Sequence, residues 1–195
     1  MSINPQSALR PDYPVRTRRL RLRPLTTPDI DALLTYRGDP DVCRFLPFEP
    51  MTRQVIEHRL ATDLATTELT EEGQALTLGM ELAKTGELIG DVVLFWRSRE
   101  HGGGELGYVI HPGFGGHGYA SEAGTAMLGM GFDELGLHRI VAHIDERNGP
   151  SARLARRLGL RQEARLVQNE WFKGEWRTEI DFAILADEWR TQDRG

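Results

Sequence analysis

Between His111 and Ala123 the chain reads His-Pro-Gly-Phe-Gly-Gly-His-Gly-Tyr-Ala-Ser-Glu-Ala, with glycines at 113, 115, 116 and 118. Residues 104–110 before it read as a strand. After it Ala120, Gly124, Met127, Leu128, Gly131 and Leu135 recur at helical spacing, which predicts a helix over 118–135. A glycine-rich turn between a strand and a helix leaves backbone N–H groups pointing outward at the positive end of the helix dipole, a place for phosphate oxygens. Glycine also lets an anion approach the backbone closely and permits φ > 0. The first chemistry in this sequence is therefore anion binding, although a short strand–helix connection that binds nothing has the same local pattern. Gly113, Gly115 and Gly118 also satisfy G-x-G-x-x-G, the dinucleotide fingerprint. That fingerprint normally opens a doubly wound domain, whereas here it lies past the middle of the chain. Too few residues remain after it to supply the other parallel strands, and the last of them read as a hairpin.

A second polar cluster, Asp145-Glu146-Arg147-Asn148-Gly149-Pro150-Ser151, leads into a short helix over 152–158 closed by Gly159. Asn148 can cap that helix, with Pro150 in its first turn. The six histidines show no metal-ligand spacing, and no metal is implied. Cys43 is alone, so no internal disulfide can form; a reducing compartment fits, and a small apolar filler is its simplest role. A formal net charge of −5 argues against a nucleic-acid binder. No secretory apolar core opens the sequence and no apolar run approaches the ~20 residues that span a bilayer, so the expectation is a soluble, cytoplasmic protein.

The elements that must position these groups can be read in order. At 195 residues and 39% hydrophobic composition the chain can bury one sizeable core, and a single domain over 17–190 is expected behind an N-terminal arm over 1–16 with Pro5, Pro11 and Pro14. Residues 17–25 alternate strictly, with Leu20 and Leu22 inward and the arginines on a solvated face. A helix begins at Thr27-Pro28 and stops before Gly38; Phe45, Leu46 and Phe48 lie in a proline-bounded loop; and a helix is predicted over 52–69. Strands follow at 75–83, 88–97 and 105–111, joined by turns short enough to make them antiparallel. The strand at 139–144 then runs parallel to its predecessor through a helical crossover. A final hairpin, 161–171 and 176–185, turns at Phe172-Lys173-Gly174-Glu175, with Trp171 and Trp176 able to pair across it.

The glycine stretch resembles motif A of the GNAT superfamily of acyl-CoA-dependent N-acetyltransferases, whose loop reads Gln/Arg-x-x-Gly-x-Gly/Ala. Gly118 and Ala120 fill its last two defined positions, while Gly115 stands where Gln or Arg is commonest. Asn148 and the short helix after it resemble motif B, with Gly159-Leu160 in place of the usual Gly-Phe. The run Pro-Gly-Phe-Gly-Gly-His-Gly-Tyr-Ala-Ser-Glu-Ala looks most like the branch that includes the ribosomal-protein N-terminal acetyltransferases, as does the opening strand. The resemblance implies an α/β fold of α+β type, with a mixed, mostly antiparallel sheet flanked by helices and a splayed parallel strand pair at the CoA site.

It also implies roles. Acetyl-CoA is the co-substrate, with its pyrophosphate on Gly115, Gly116, His117, Gly118, Tyr119 and Ala120. The backbone near Val109 and Ile110 would face the acetyl oxygen, and Asn148 and Ser151 would contact the pantetheine end. Many members carry a general-acid Tyr seven residues past the Asn; Ala155 stands there, and Ser151 is the replacement by branch resemblance. For the general base the branch points to Glu170, with Glu105 next and His111 a further candidate that could simply support its turn. The acceptor by branch resemblance is a protein N-terminal amine. A small polyamine-like or aminoglycoside amine is the alternative, and a non-catalytic acyl-CoA sensor is a third reading. The partners expected are an amine substrate, with no nucleic acid and no membrane; a homodimer stays open.

Overall fold

The computed structural model describes residues 8–191. Its eight strands form one sheet in the order β1-β2-β3-β4-β5-β6-β8-β7. The strands are β1 (Val15–Arg16), β2 (Leu20–Pro24), β3 (Ala75–Leu82), β4 (Leu88–Ser98), β5 (Gly103–Ile110), β6 (Arg139–Asp145), β7 (Arg161–Phe172) and β8 (Glu175–Leu185). Every neighbouring pair is antiparallel except β5 and β6, which run parallel. That mixed sheet flanked by helices is the fold expected from the sequence.

The helices are α1 (Ile30–Arg37), α2 (Pro40–Cys43), α3 (Arg53–Leu60), α4 (Tyr119–Gly129), α5 (Gly149–Arg157) and α6 (Ala186–Thr191). They divide the core in two. Leu20, Leu22, Met80, Leu94 and Ile140 pack with α4, α5 and α6, and Val109 and Leu88 pack with α1 and α3 on the other side. Burial of these side chains, each contributing about 1.5–3 kcal/mol, clamps the sheet between two layers. Among the described residues no helix is long and apolar enough to cross a membrane.

Four local expectations change. Residues 1–7 of the arm lie outside the described residues, but from residue 8 the arm is folded: Leu9 is buried and exchanges backbone hydrogen bonds with Leu69, and Tyr13 Oη donates to the Thr67 carbonyl. A single bridge of this kind leaves no periodic trace in sequence. The helix predicted over 52–69 ends at Leu60, where Thr62 Oγ1 donates to the His58 carbonyl and takes up an acceptor the helix would have used. The helix after the glycines is α-helical only to Gly129, then widens into a π turn over Met130–Glu134. The arginines of β2 form a face that is only half solvated, because they are tied down by carboxylates. Arg21 and Arg23 share Glu81, and Arg23 also holds Asp29 with two 2.8 Å hydrogen bonds.

Candidate active site

The site exists because β5 and β6 part company. Their pairing covers only Gly103 with Arg139, Gly104 with Ile140 and Glu105 with Val141. Beyond Glu105 the strands splay, and two cavities of about 390 and 400 Å³ meet in the gap. Both are lined by Tyr108 and Val109 of β5, Asn148 and Ser151 at the start of α5, and Phe45 and Leu46. On β5 the His111 N–H donates to the Ile89 carbonyl, toward β4. Alternation along a strand then turns the Tyr108 and Ile110 N–H groups into the gap, and that of Val109 toward β4.

The second cavity runs from the gap to the glycine loop. Gly115, Gly116, Gly118, Tyr119 and Ala120 line it, together with Val109 and Ile110. Gly116 and Gly118 have φ of +78° and +81°, in the left-handed region that favours glycine. Gly118 is the N-cap of α4 and no side chain caps the helix, so its first N–H groups face the cavity with the dipole behind them. His117 is outside that lining: its ring stacks on Tyr119 and its carbonyl accepts from Arg19. His111 holds the turn, its Nδ1 accepting from the Gly113 N–H at 3.0 Å.

Two arginines that nothing in the local sequence singles out stand beside this loop. Arg19 lies over the Tyr119 ring at 4.5 Å and donates to Glu122 at 2.7 Å. One of its terminal nitrogens lies 3.4 Å from where a Cβ on Gly118 would be. Burial opposes ionisation of Glu122, yet Thr17 and Arg19 hold its carboxyl below the usual range. Arg157 of α5 lines the cavity and its Nε donates to Ser121 Oγ. Gly115 offers no side-chain cation here, and Arg19 and Arg157 bring positive charge to the same loop from elsewhere in the chain.

On α5, Asn148 Oδ1 accepts from the Ser151 N–H at 3.2 Å, so its capping role and its place in both cavity walls coexist. The Ser151 carbonyl accepts from Tyr108 Oη at 2.9 Å, and burial pushes the Tyr108 phenol well above its ordinary range. Ala155 is fully buried. A tyrosine hydroxyl at the gap is thus supplied by β5 rather than by α5.

The first cavity is the larger chemical puzzle. Phe45, Leu46, Pro47 and Phe48 roof it, and Lys173 of the β7–β8 turn ties that roof down by donating to the Cys43 and Phe48 carbonyls at 2.7 Å. Its floor is the sheet face carrying Thr77, Asp91, Val93, Glu105, Gly107, His143 and Asp145. Each carboxylate in its wall has an arginine: Asp63 has Arg59, Asp91 has Arg37, Glu105 has Arg97 and Asp145 has Arg147. Burial works against the Asp145 charge, but Arg147 holds its carboxyl below the ordinary range. Glu170 lies on exposed β7, outside the lining of either cavity, and pairs with Arg177, which also holds Glu179.

Known proteins share both the fold and the sequence pattern. The sequence profile described as "Acetyltransferase (GNAT) domain" matches residues 19–161. The chain is a GNAT acetyltransferase. It is 31% identical over 175 residues to the uncharacterised N-acetyltransferase YnaD of Bacillus subtilis (strain 168), covering 90% of this chain and 98% of that one. It is also 23% identical over 175 residues to the spermidine N(1)-acetyltransferase of Escherichia coli (strain K12), covering 90% of each. A GNAT-family acetyltransferase structure from Bacillus anthracis superposes with a TM-score of 0.79 at 29% identity, covering 88% of this chain and 98% of that one. GNAT acetyltransferases use acetyl-CoA and act on amines, and this enzyme's splayed strands, uncapped glycine turn and joined cavities suit that co-substrate.

Proposed function

We propose that this GNAT acetyltransferase transfers the acetyl group of acetyl-CoA to the N-terminal amine of a protein or peptide. The carrying observation is the pair of cavities that meet at Tyr108, Asn148 and Ser151. In this reading the pyrophosphate rests on the N–H groups between Gly115 and Ala120, with Arg19 and Arg157 beside it. The pantetheine fills the gap left by β5 and β6, where the Ile110 N–H polarises the thioester carbonyl and Asn148 and Ser151 hold its amides. Donors preorganised toward a developing oxyanion are the usual source of a large share of such catalysis. Ser151, at the junction of the two cavities, hands a proton to the departing thiolate. Glu105 lines the acceptor cavity in an ion pair with Arg97, while Glu170 lies outside that lining, paired with the Arg177 that also holds Glu179.

The acceptor wall supports the choice of a single amine over a polycation. A polyamine needs unpaired carboxylates for its further ammonium groups, and here Asp63, Asp91, Glu105 and Asp145 are each already paired with an arginine. Among the described residues that line this cavity a second ammonium therefore finds no carboxylate without an arginine, and gains little. Acceptors compared by thiol release from acetyl-CoA should show kcat/KM for short peptides with free N-termini at least about tenfold above spermidine, a difference of about 1.4 kcal/mol. The reverse ranking would favour the small polyamine-like amines. Tight acyl-CoA binding with no amine-dependent thiol release would favour a sensor.

A further inference from the structure

His143 faces the acceptor cavity from β6, two residues beyond the last pair that joins β6 to β5. Its register partner on β8 is Asp181, and that of Asp145 is Glu179, so all four side chains share one face of the sheet. His143 Nδ1 lies 2.7 Å from Asp181 Oδ1 and 3.8 Å from Glu179 Oε1. An ionised carboxylate can only accept, so Asp181 keeps the proton of the neutral imidazole on Nδ1 and leaves the Nε2 lone pair open.

The charged groups around this ring come from every element packed there. On β8 stand Asp181 and Glu179, the latter bonded to Arg177 and through it to Glu170. Asp145 with Arg147 lies further along β6, Glu105 with Arg97 lies across on β5 and β4, and Asp63 with Arg59 and Asp91 with Arg37 close the far side. Each of those wall carboxylates is held by an arginine that draws on its lone pairs, and on Glu105 both Arg97 contacts fall on Oε2. An imidazole is the side chain whose protonation changes near neutral pH, and His143 is the histidine in this wall.

We propose that His143 is the general base of acetyl transfer in this enzyme and that Asp181 is its positioning residue. The proposal rests on acetyl transfer itself and not on which amine is the acceptor. His143 Nε2 takes one proton from the acceptor ammonium. The freed nitrogen lone pair attacks the thioester carbon, the C–N bond forms and the carbonyl electrons move onto oxygen. Their return breaks the C–S bond, and the second nitrogen proton ends on the departing sulfur. The products are the N-acetyl amide and the CoA thiol, and His143, on the open side of the wall, releases its proton to water.

The test joins a spectroscopic and a kinetic arm. Nitrogen-15 spectra of the histidine rings in the full chain, recorded from about pH 5 to 9 across the range where imidazole titrates, should show neutral His143 with its proton on Nδ1. Asp181→Asn should erase that preference and Asp181→Glu should restore it in part. With the most active amine of the acceptor series, kcat/KM should fall as acid protonates the ring. His143→Gln should lower kcat about 10²–10⁴-fold with the KM for acetyl-CoA little changed. Its acid limb should move to more alkaline pH, with activity climbing as the amine deprotonates unaided. A ring with its proton on Nε2, or one protonated at every pH, overturns the proposal. So does a His143→Gln enzyme with the wild-type profile, or an alkaline move of the acid limb in Glu105→Gln while that of His143→Gln stays in place. The spectra decide the matter even where no amine turns over.

Discussion

Gly118→Val should weaken CoA binding about 10²-fold while the protein stays folded. Gly118 caps α4 at φ +81°, and among the described residues, its own chain neighbours and helix backbone aside, a Cβ placed there meets an Arg19 terminal nitrogen at 3.4 Å, the far end of a flexible side chain. The core therefore has no reason to object. The loop does: a β-branched residue held at positive φ costs about 1–3 kcal/mol. Its methyl groups would also stand where phosphate oxygens must reach the N–H groups of the first turn. About 2.7 kcal/mol of lost binding is 10²-fold. Calorimetric titration with CoA, beside a melting curve, reads both quantities. A folded Gly118→Val protein with undiminished affinity would put the pyrophosphate somewhere other than this loop.

The largest stability effect should come from the acceptor wall. Arg37 and Asp91 are joined at 2.6 and 2.8 Å, with side chains only 5% and 1% exposed, and Tyr36 Oη adds a third hydrogen bond to the carboxylate. Burial and the Asp91 charge push the Tyr36 phenol well above its ordinary range, which keeps it a donor. Arg37→Met leaves a buried carboxylate with the tyrosine alone, and should lower the free energy of unfolding by about 3–5 kcal/mol. Urea denaturation measures it. The double variant Arg37→Met with Asp91→Leu should recover much of the loss, because an apolar pair is not penalised for desolvation. A loss below about 1 kcal/mol in the single variant would mean that water reaches Asp91 through the cavity.

Much of this was legible in the sequence because it depends on local rules. Alternation marked Leu20 and Leu22, the 3.6-residue period marked α4, and glycines at 116 and 118 announced a turn that only positive φ can make. The polar wall of the first cavity was hidden because it depends on register. His143 and Asp181 are 38 residues apart and meet only through the β6–β8 pairing. Arg19 reaches the glycine loop across 98 residues of sequence. Glu170 carried a local pattern that looked right, but β7 is the sheet's edge strand and its exposed position leaves that carboxylate beside Arg177 rather than in the cavity. Thr62 misled for the opposite reason: apolar spacing continued past Leu60, while one hydroxyl ended the helix.

Hydrogen exchange on the full chain, with and without CoA, tests most directly where the co-substrate lies. A pantetheine lying between β5 and β6, with its pyrophosphate on α4, should slow exchange at the Tyr108 and Ile110 amides and at those from Gly116 to Ala120. The first two face the gap, and Gly116, Gly118, Tyr119 and Ala120 line the second cavity. Protection confined to other segments, such as the β7–β8 hairpin, or CoA binding that leaves these amides unchanged, would contradict the account.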